Sequence, residues 1–366
     1  MLFDITPKDD VKDLFGREKE INLLKNSIKE PLTVIYGIRR TGKTSLLKSV
    51  LNSLETPYII IDIRELFNES GSIRENEVSI KILNELKKNV KLLQKLKFLF
   101  NDMISRINGI EINNFKMNID TSRRYKLNNI LELINEIAFK TSSIFILAVD
   151  EAQYLKYGGR RYSNILAWAY DNLKNLHIII TGSEIGMLDD FIDIENPESP
   201  LFGRMLNDIK LDHFDRETSY NFLKKGFREL KIRVNDDDIN SAVNTLDGIP
   251  GWLTYYGYNR AIRKIDNNSS INNVIEYSKK LIDLEIGKLI LNSRDRYISI
   301  LEAIASGLNN WSSIKSYVTA KTGYISGTIL NNHLIKLLKY GFIKKSEDKY
   351  SFEDPLLKLR FMSGRK

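Results

Sequence analysis

Eight consecutive residues, Gly37-Ile38-Arg39-Arg40-Thr41-Gly42-Lys43-Thr44, fit the pattern GxxxxGK[ST] at every fixed position. A short β-branched run at 32–36 enters them and a run with helical spacing at 45–51 leaves them. A strand, a tight loop and a helix start in that order confine this part of the chain to folds in which a buried strand hands over to a helix. The glycines let the loop curl until the N–H groups of Gly42, Lys43 and Thr44 point at one centre. The helix N-terminus, beginning with Ser45, adds its partial positive charge there. Such a loop suits a triphosphate: Lys43 is expected to reach the β- and γ-phosphates, and the Thr44 hydroxyl to take one corner of a Mg²⁺ octahedron.

A second segment, Ser143-Ile144-Phe145-Ile146-Leu147-Ala148-Val149-Asp150-Glu151, is an apolar strand ending in two carboxylates, the Walker B form. Asp150 would hold Mg²⁺ through a water, and Glu151 would align and partly deprotonate the water that attacks the γ-phosphate. Three further runs read as strands. The run at 57–63 ends near Asp62 and Arg64, which either face the nucleotide or form a salt-bridged strand end. The run at 176–183 ends in Thr181-Gly182-Ser183, where Thr181 or Ser183 would sense the γ-phosphate or simply make a turn. A fifth run, 208–211, follows Pro200-Leu201-Phe202-Gly203-Arg204. Arg204 is placed to complete a nucleotide site in its own subunit or a neighbour's, or to make an ordinary surface ion pair.

A chain of 366 residues with 42% hydrophobic residues accommodates two or three domains. The absence of cysteine excludes disulfides, thiolate nucleophiles and cysteine-ligated metals, and the scattered His177, His213 and His333 do not suggest zinc. No apolar run approaches the ~20 residues of a membrane-spanning helix, and residues 1–10 lack the features of a signal peptide, so no membrane partner and a cytoplasmic location are expected. The formal charge of +8 permits an acidic partner without demanding one.

The pattern along the chain predicts a core over 1–214 with a helical insertion at about 72–140, a helical lid over 215–285 that extends in a helix to about Leu291, and a third unit over 286–366. That last unit shows helical spacing at 296–305, 311–319 and 325–340, then a hairpin over 341–352, which together suggest a winged helix. Asn331, Asn332, Lys336 and Lys339 on its third helix, with Lys344 and Lys345 on the wing, are candidates for double-stranded DNA. The alternatives are a protein partner or a unit that merely covers its neighbour.

Taken together, Phe15-Gly16-Arg17-Glu18, the phosphate loop, Val149-Asp150-Glu151-Ala152-Gln153, Thr181-Gly182-Ser183, Pro200–Arg204, Gly248-Ile249-Pro250 and Asp354-Pro355-Leu356-Leu357 resemble the archaeal ATPase family, a STAND branch of the P-loop ATPases close to AAA+ proteins. The resemblance spans nearly the whole chain. It implies an α/β P-loop NTPase core of AAA+ type with a parallel sheet of order 5-1-4-3-2, a helical lid and a C-terminal winged helix. It implies ATP/ADP and Mg²⁺ as ligands, with Phe15, Gly16 and Arg17 closing over the adenine, the alternative being a packing helix with no nucleotide contact, and with Pro250 packing on the base; whether the chain forms an oligomer is left open. The Arg39-Arg40 pair fits the family's loop; otherwise both side chains point outward to acidic neighbours. No long repeat array follows the winged helix, a departure from related STAND proteins. The expected function is a slow ATP-hydrolysing conformational switch, coupled to DNA or protein through the winged helix. The rival is a DNA-binding regulator in which ATP is mainly structural. Transfer to an acceptor other than water is a weaker option, because Glu151 beside Asp150 favours water.

Overall fold

Near-continuous apolar strands fit a parallel sheet covered on both faces, where neither side of a strand meets water. The computed structural model describes residues 1–88, 110–113, 116–289 and 293–362. Strands β1 (Leu32–Tyr36) and β2 (Tyr58–Asp62) are followed by a small hairpin, β3 (Ile110–Asn113) and β4 (Lys116–Ile119), then by β5 (Phe145–Asp150), β6 (Leu176–Gly182) and β7 (Asn207–Lys210). All except the hairpin form one five-stranded sheet of order β2-β5-β6-β1-β7, with every neighbouring pair parallel. Counted over those strands alone, this is the expected order 5-1-4-3-2.

The register decides where the chemistry collects. Tyr36 lies opposite Gly182, Val149 opposite Ile180 and Asp62 opposite Asp150. The residues that leave the carboxyl ends of β1, β2, β5 and β6 therefore start from one edge, as sites in parallel sheets do. β5 and β6 are buried along their whole length. One face packs on helices Glu75–Lys88, Leu127–Lys140 and Arg161–Asn172, and the other on Glu18–Ser27 and Lys43–Asn52.

Two local features differ from the sequence expectation. Ile63, expected to end a strand, instead opens the helix Ile63–Ser70, because the Asp62 carboxylate accepts the Arg64 N–H at 2.9 Å and caps the helix. The expected helical insertion also contains the antiparallel hairpin β3–β4, in which Ile110, Ile112, Met117 and Ile119 alternate with polar residues. Within that insertion, residues 89–109, 114 and 115 lie outside the described residues, as does Leu291.

Beyond the core come four lid helices, Arg216–Glu229, Asp236–Leu246, Pro250–Ala261 and Asn267–Leu289. Three more follow, Arg294–Ala305, Trp311–Thr322 and Gly327–Lys339, with the hairpin β8 (Ile343–Ser346) and β9 (Lys349–Phe352) and a last helix, Pro355–Met362. Helix Asn267–Leu289 starts in the lid cluster at Ile271 and Val274 and ends in the winged-helix cluster at Ile282 and Ile286, so one rigid element belongs to both. Leu356 of the last helix packs back into the lid cluster. No helix among the described residues is long and apolar enough to cross a membrane.

The N-terminal segment is built into the lid. Phe3 is fully buried, edge-on to Phe227 with ring centroids 4.9 Å apart. Its ring occupies space left by two glycines of separate helices, since a Cβ added to Gly226 or to Gly257 would fall 2.3 Å from it. Phe3→Ala should therefore lower lid stability by about 3–5 kcal/mol. Denaturant unfolding followed by the fluorescence of the buried Trp252 checks this, and an unchanged midpoint would show that the ring contributes no packing.

Candidate functional site

The loop between β1 and the helix Lys43–Asn52 needs its glycines for separate reasons. A Cβ on Gly37 would lie 2.4 Å from the Leu211 carbonyl oxygen, whereas Gly42 needs its freedom for the backbone, at φ 99°. The Lys43 ammonium is buried and donates to the carbonyls of Gly37 and Ile38 at 2.8 and 2.7 Å. Burial pushes its pKa down to about 8, against the opposing pull of Glu151 and Asp150. Arg17 supports the loop from outside, donating to the carbonyls of Thr41 and Asp212 at 3.1 and 2.7 Å. The Ser45 hydroxyl accepts the Lys8 N–H at 3.1 Å.

The register brings Asp150, the last residue of β5, and Glu151 after it to this loop. Thr44 Oγ1 donates to Asp150 Oδ2 at 2.9 Å, and Thr181 Oγ1 donates to Asp150 Oδ1. Burial raises the Asp150 carboxyl above the usual range, with Glu151 and Asp62 adding to it against the bonds from Thr181 and Thr44. Glu151 sits in the left-handed region at φ 55°, with its N–H on Thr181 Oγ1 at 3.2 Å. Ser183 Oγ and Gln153 Nε2 both donate to Glu151 Oε2 at 2.6 Å, while Arg64 approaches Oε1 at 3.4 Å. Burial alone would raise the Glu151 carboxyl, but Lys43, Arg64 and these donors together hold it below the usual range. Of the two sensor candidates, Thr181 thus engages Asp150 and Ser183 engages Glu151.

A hydroxyl and a buried carboxylate 2.9 Å apart are hard oxygen donors of the kind that suit Mg²⁺, and a divalent cation would offset the burial and the neighbouring acids that raise Asp150. The residues present fit the ion.

The loop's own arginines pair with acids from outside the loop. Arg39 pairs with the buried Glu184 and with Glu285 at 3.0 Å, and Arg40 pairs with Glu285 at 2.9 Å. The guanidinium of Arg40 lies 4.4 Å from the Trp252 ring centroid, and Trp252 Nε1 donates to Asp354 Oδ2 at 2.9 Å. The Gly251 N–H bonds the Arg40 carbonyl at 3.0 Å. A second set of contacts joins the winged helix to the core: Lys339 bonds both oxygens of Asp190 at 2.8 and 2.7 Å, Lys156 shares that carboxylate, and the hydroxyls of Tyr157 and Tyr340 are 3.2 Å apart.

The other expected residues fall in three places. Phe15 and Arg17 meet Phe214, the ring of Phe15 at 6.3 Å between centroids and the guanidinium of Arg17 at 4.8 Å. Gly16 comes close to Phe214 and Thr218, and Pro250 opens its helix just after Gly248, whose carbonyl accepts the Phe214 N–H at 2.9 Å. Arg204 is clamped bidentately by Asp171 beside the Tyr170 ring. On the winged helix, Asn331 accepts from Trp311 Nε1 at 2.6 Å, Lys336 lies over Tyr297, and Asn332, Lys344 and Lys345 are exposed. Sequence reasoning named Gln153 only as the end of the Val149–Gln153 segment, with no role, and did not single out Glu184 or Glu285. Glu285 is an ordinary acidic residue in a long helix and carries no local signal.

The family described as an ATPase domain predominantly from Archaea matches residues 14–256, and the MCM protein C-terminal winged helix-turn-helix domain matches residues 291–352. Among solved structures, the Walker-type ATPase PABY2304 of Pyrococcus abyssi is 36% identical, with a TM-score of 0.87 over 99% of this chain and 100% of that one. The ORC2 protein of Aeropyrum pernix, in ADPNP–ADP complexes, is 12% identical with a TM-score of 0.58 over 99% and 96%, a likeness of fold alone. MJ1544 of Methanocaldococcus jannaschii is 25% identical in an alignment of 296 positions that covers 73% of this chain but only 62% of that relative's length. With well over half of its length matched, the chain belongs to the family of ATPase domains found predominantly in Archaea.

Proposed function

We propose that the chain binds ATP with Mg²⁺ at the phosphate loop, hydrolyses it slowly to ADP and phosphate, and uses the nucleotide state to set the position of its winged helix. One observation carries this reading. The same eight-residue loop bonds Asp150 through Thr44, sets Lys43 within the field of Asp150 and Glu151 and, through Arg39 and Arg40, makes ion pairs to the lid helix that continues into the winged helix.

In this reading the adenine lies between Phe15-Gly16-Arg17 and Pro250, segments that both converge on Phe214. Lys43, a buried ammonium whose hydrogen-bond partners are loop carbonyls, gains most from an arriving phosphate. Thr44 and Asp150 hold Mg²⁺, which when bound neutralises charge on the β- and γ-phosphate oxygens. Glu151 accepts a proton from the attacking water as the new bond to γ-phosphorus forms and the bond to the β–γ bridging oxygen breaks. Ser183 keeps the Glu151 carboxylate oriented. The triphosphate also competes with Glu184 and Glu285 for Arg39, which supplies the differential interaction a switch requires.

Lys43→Ala should abolish the rise in thermal midpoint that ATP with Mg²⁺ produces. Glu151→Gln should keep that rise yet slow turnover by about 100-fold or more. Undiminished turnover by Glu151→Gln would remove Glu151 as the base.

Because the chain has no cysteine, labels can be placed through Ser53→Cys and Glu347→Cys alone. Their separation should change when ATP and Mg²⁺ are added, and Glu285→Gln should shift the nucleotide-free distance toward the ATP-bound one. A separation indifferent to nucleotide would sink the switch while leaving hydrolysis intact.

A second reading, a DNA-binding regulator with ATP as a structural ligand, is favoured by the exposed Lys344 and Lys345 on β8. It predicts a duplex affinity that falls steeply with salt and weakens when both lysines are neutralised. No binding at low salt in any nucleotide state would dispose of it.

A further inference from the structure

Gln153 lies in the 3-10 helix Ala152–Gly158 that follows β5, and it is completely buried. Its Nε2 donates to Glu151 Oε2 at 2.6 Å and reaches Ser183 Oγ at 3.4 Å, while Ser183 Oγ donates to the same carboxylate oxygen. The amide can face this carboxylate in one sense only, because inverting it would set Oε1 against Glu151. That orientation leaves Oε1 buried without a hydrogen-bond partner, 3.0 Å from where a Cβ on Gly182 would stand. An unbonded buried acceptor costs stability, which an apolar side chain of similar size would not. The fold is thus carrying a cost at a position where packing alone does not require an amide.

We infer that Gln153 is a positioning residue for hydrolysis. Together with Ser183 it commits Glu151 Oε2 to two donors and leaves Oε1, whose contact with Arg64 is long at 3.4 Å, as the oxygen that meets the attacking water. The backbone is pinned as well, by the bond from the Glu151 N–H to Thr181. Without the amide, the carboxylate is free to turn toward the neighbouring cations Arg64 and Lys43. The inference rests on the reading of Glu151 as the base.

The test measures steady-state turnover of ATP with Mg²⁺, and the thermal midpoint with and without ATP, for the unmodified chain, Gln153→Leu, Glu151→Gln and the double variant. Gln153→Met, closer in length, replaces the leucine should that variant fail to fold. Gln153→Leu is expected to lower kcat by about 10–100-fold with KM within about threefold, since a misplaced base loses rate more than affinity. The double variant should be no slower than Glu151→Gln alone, because Gln153 acts through Glu151. Turnover by Gln153→Leu equal to that of the unmodified chain overturns the inference. So does a further full loss in the double variant, or a fall in ATP binding that accounts for the slower rate. If Glu151→Gln itself turns over normally, the reading of the base fails first and this inference falls with it.

Discussion

Lys43 carries an ammonium into the protein interior, where an unpaired charge costs several kcal/mol or gives up its proton. What makes this tolerable is the strand register. It sets Asp150 and Glu151 beside the phosphate loop and lets two loop carbonyls accept from Nζ. Even so, the pKa of Lys43 falls to about 8, so at neutral pH its proton is retained at a cost to folding that diminishes as pH rises from that value toward 10.5. A site under such tension is stabilised by an anion arriving at the ammonium. The same is true in reverse of Asp150, whose raised carboxyl gains from a cation. In the function proposed above, magnesium and triphosphate together answer both.

The arginines show how that tension extends beyond the loop. Arg39 and Arg40 sit between Gly37 and Lys43, so any change in loop shape moves them, and Glu285 receives both. Glu285 lies on the helix that is shared between the lid core and the winged-helix core, next to Ile286, which packs into the latter. Glu184, on the other side of Arg39, is a buried carboxyl pushed up by burial to about 7, with nearby Glu151 and Glu285 adding to the shift against Arg39. Arg39 is therefore held between two acids in different surroundings: Glu184 follows Ser183, a partner of Glu151, and Glu285 lies on the helix shared with the winged-helix core.

How much of this could be read from the chain divides along a physical line. The approach of the 37–44 loop to Asp150, the strand order and the winged helix were legible, because each depends on local periodicity or on residues at fixed spacing. The antiparallel pair Ile110–Asn113 and Lys116–Ile119 had an alternating sequence pattern that a helical reading of its surroundings obscured. Phe3 was illegible because its pocket is made by the absence of two side chains, Gly226 and Gly257, on helices far along the chain. The contacts of Glu285, Asp354 and Asp190 were illegible for a related reason. An acid on a helix has the same local signature whether it faces water or a distant arginine, and only tertiary packing decides.

That last group bears on the winged helix. Its third helix was expected to offer Lys336 and Lys339 to an acidic partner, but Lys339 is spent on Asp190 of the core, which Lys156 shares. The approach there is close, since a Cβ on Gly186 would lie 2.7 Å from the Lys339 Cα, and any larger residue at 186 would push the helix away. Asn331 is likewise taken by Trp311, leaving Ile329 and Ile335 among the exposed residues of that helix. In this arrangement Lys339 faces its own ATPase core, and the wing carries the exposed Lys344, loosely paired with Glu353 at 3.9 Å, and Lys345. A partner that needs Lys339 must compete with Asp190, and that competition links the surface of the winged helix to the core elements that hold Glu184 and Ser183.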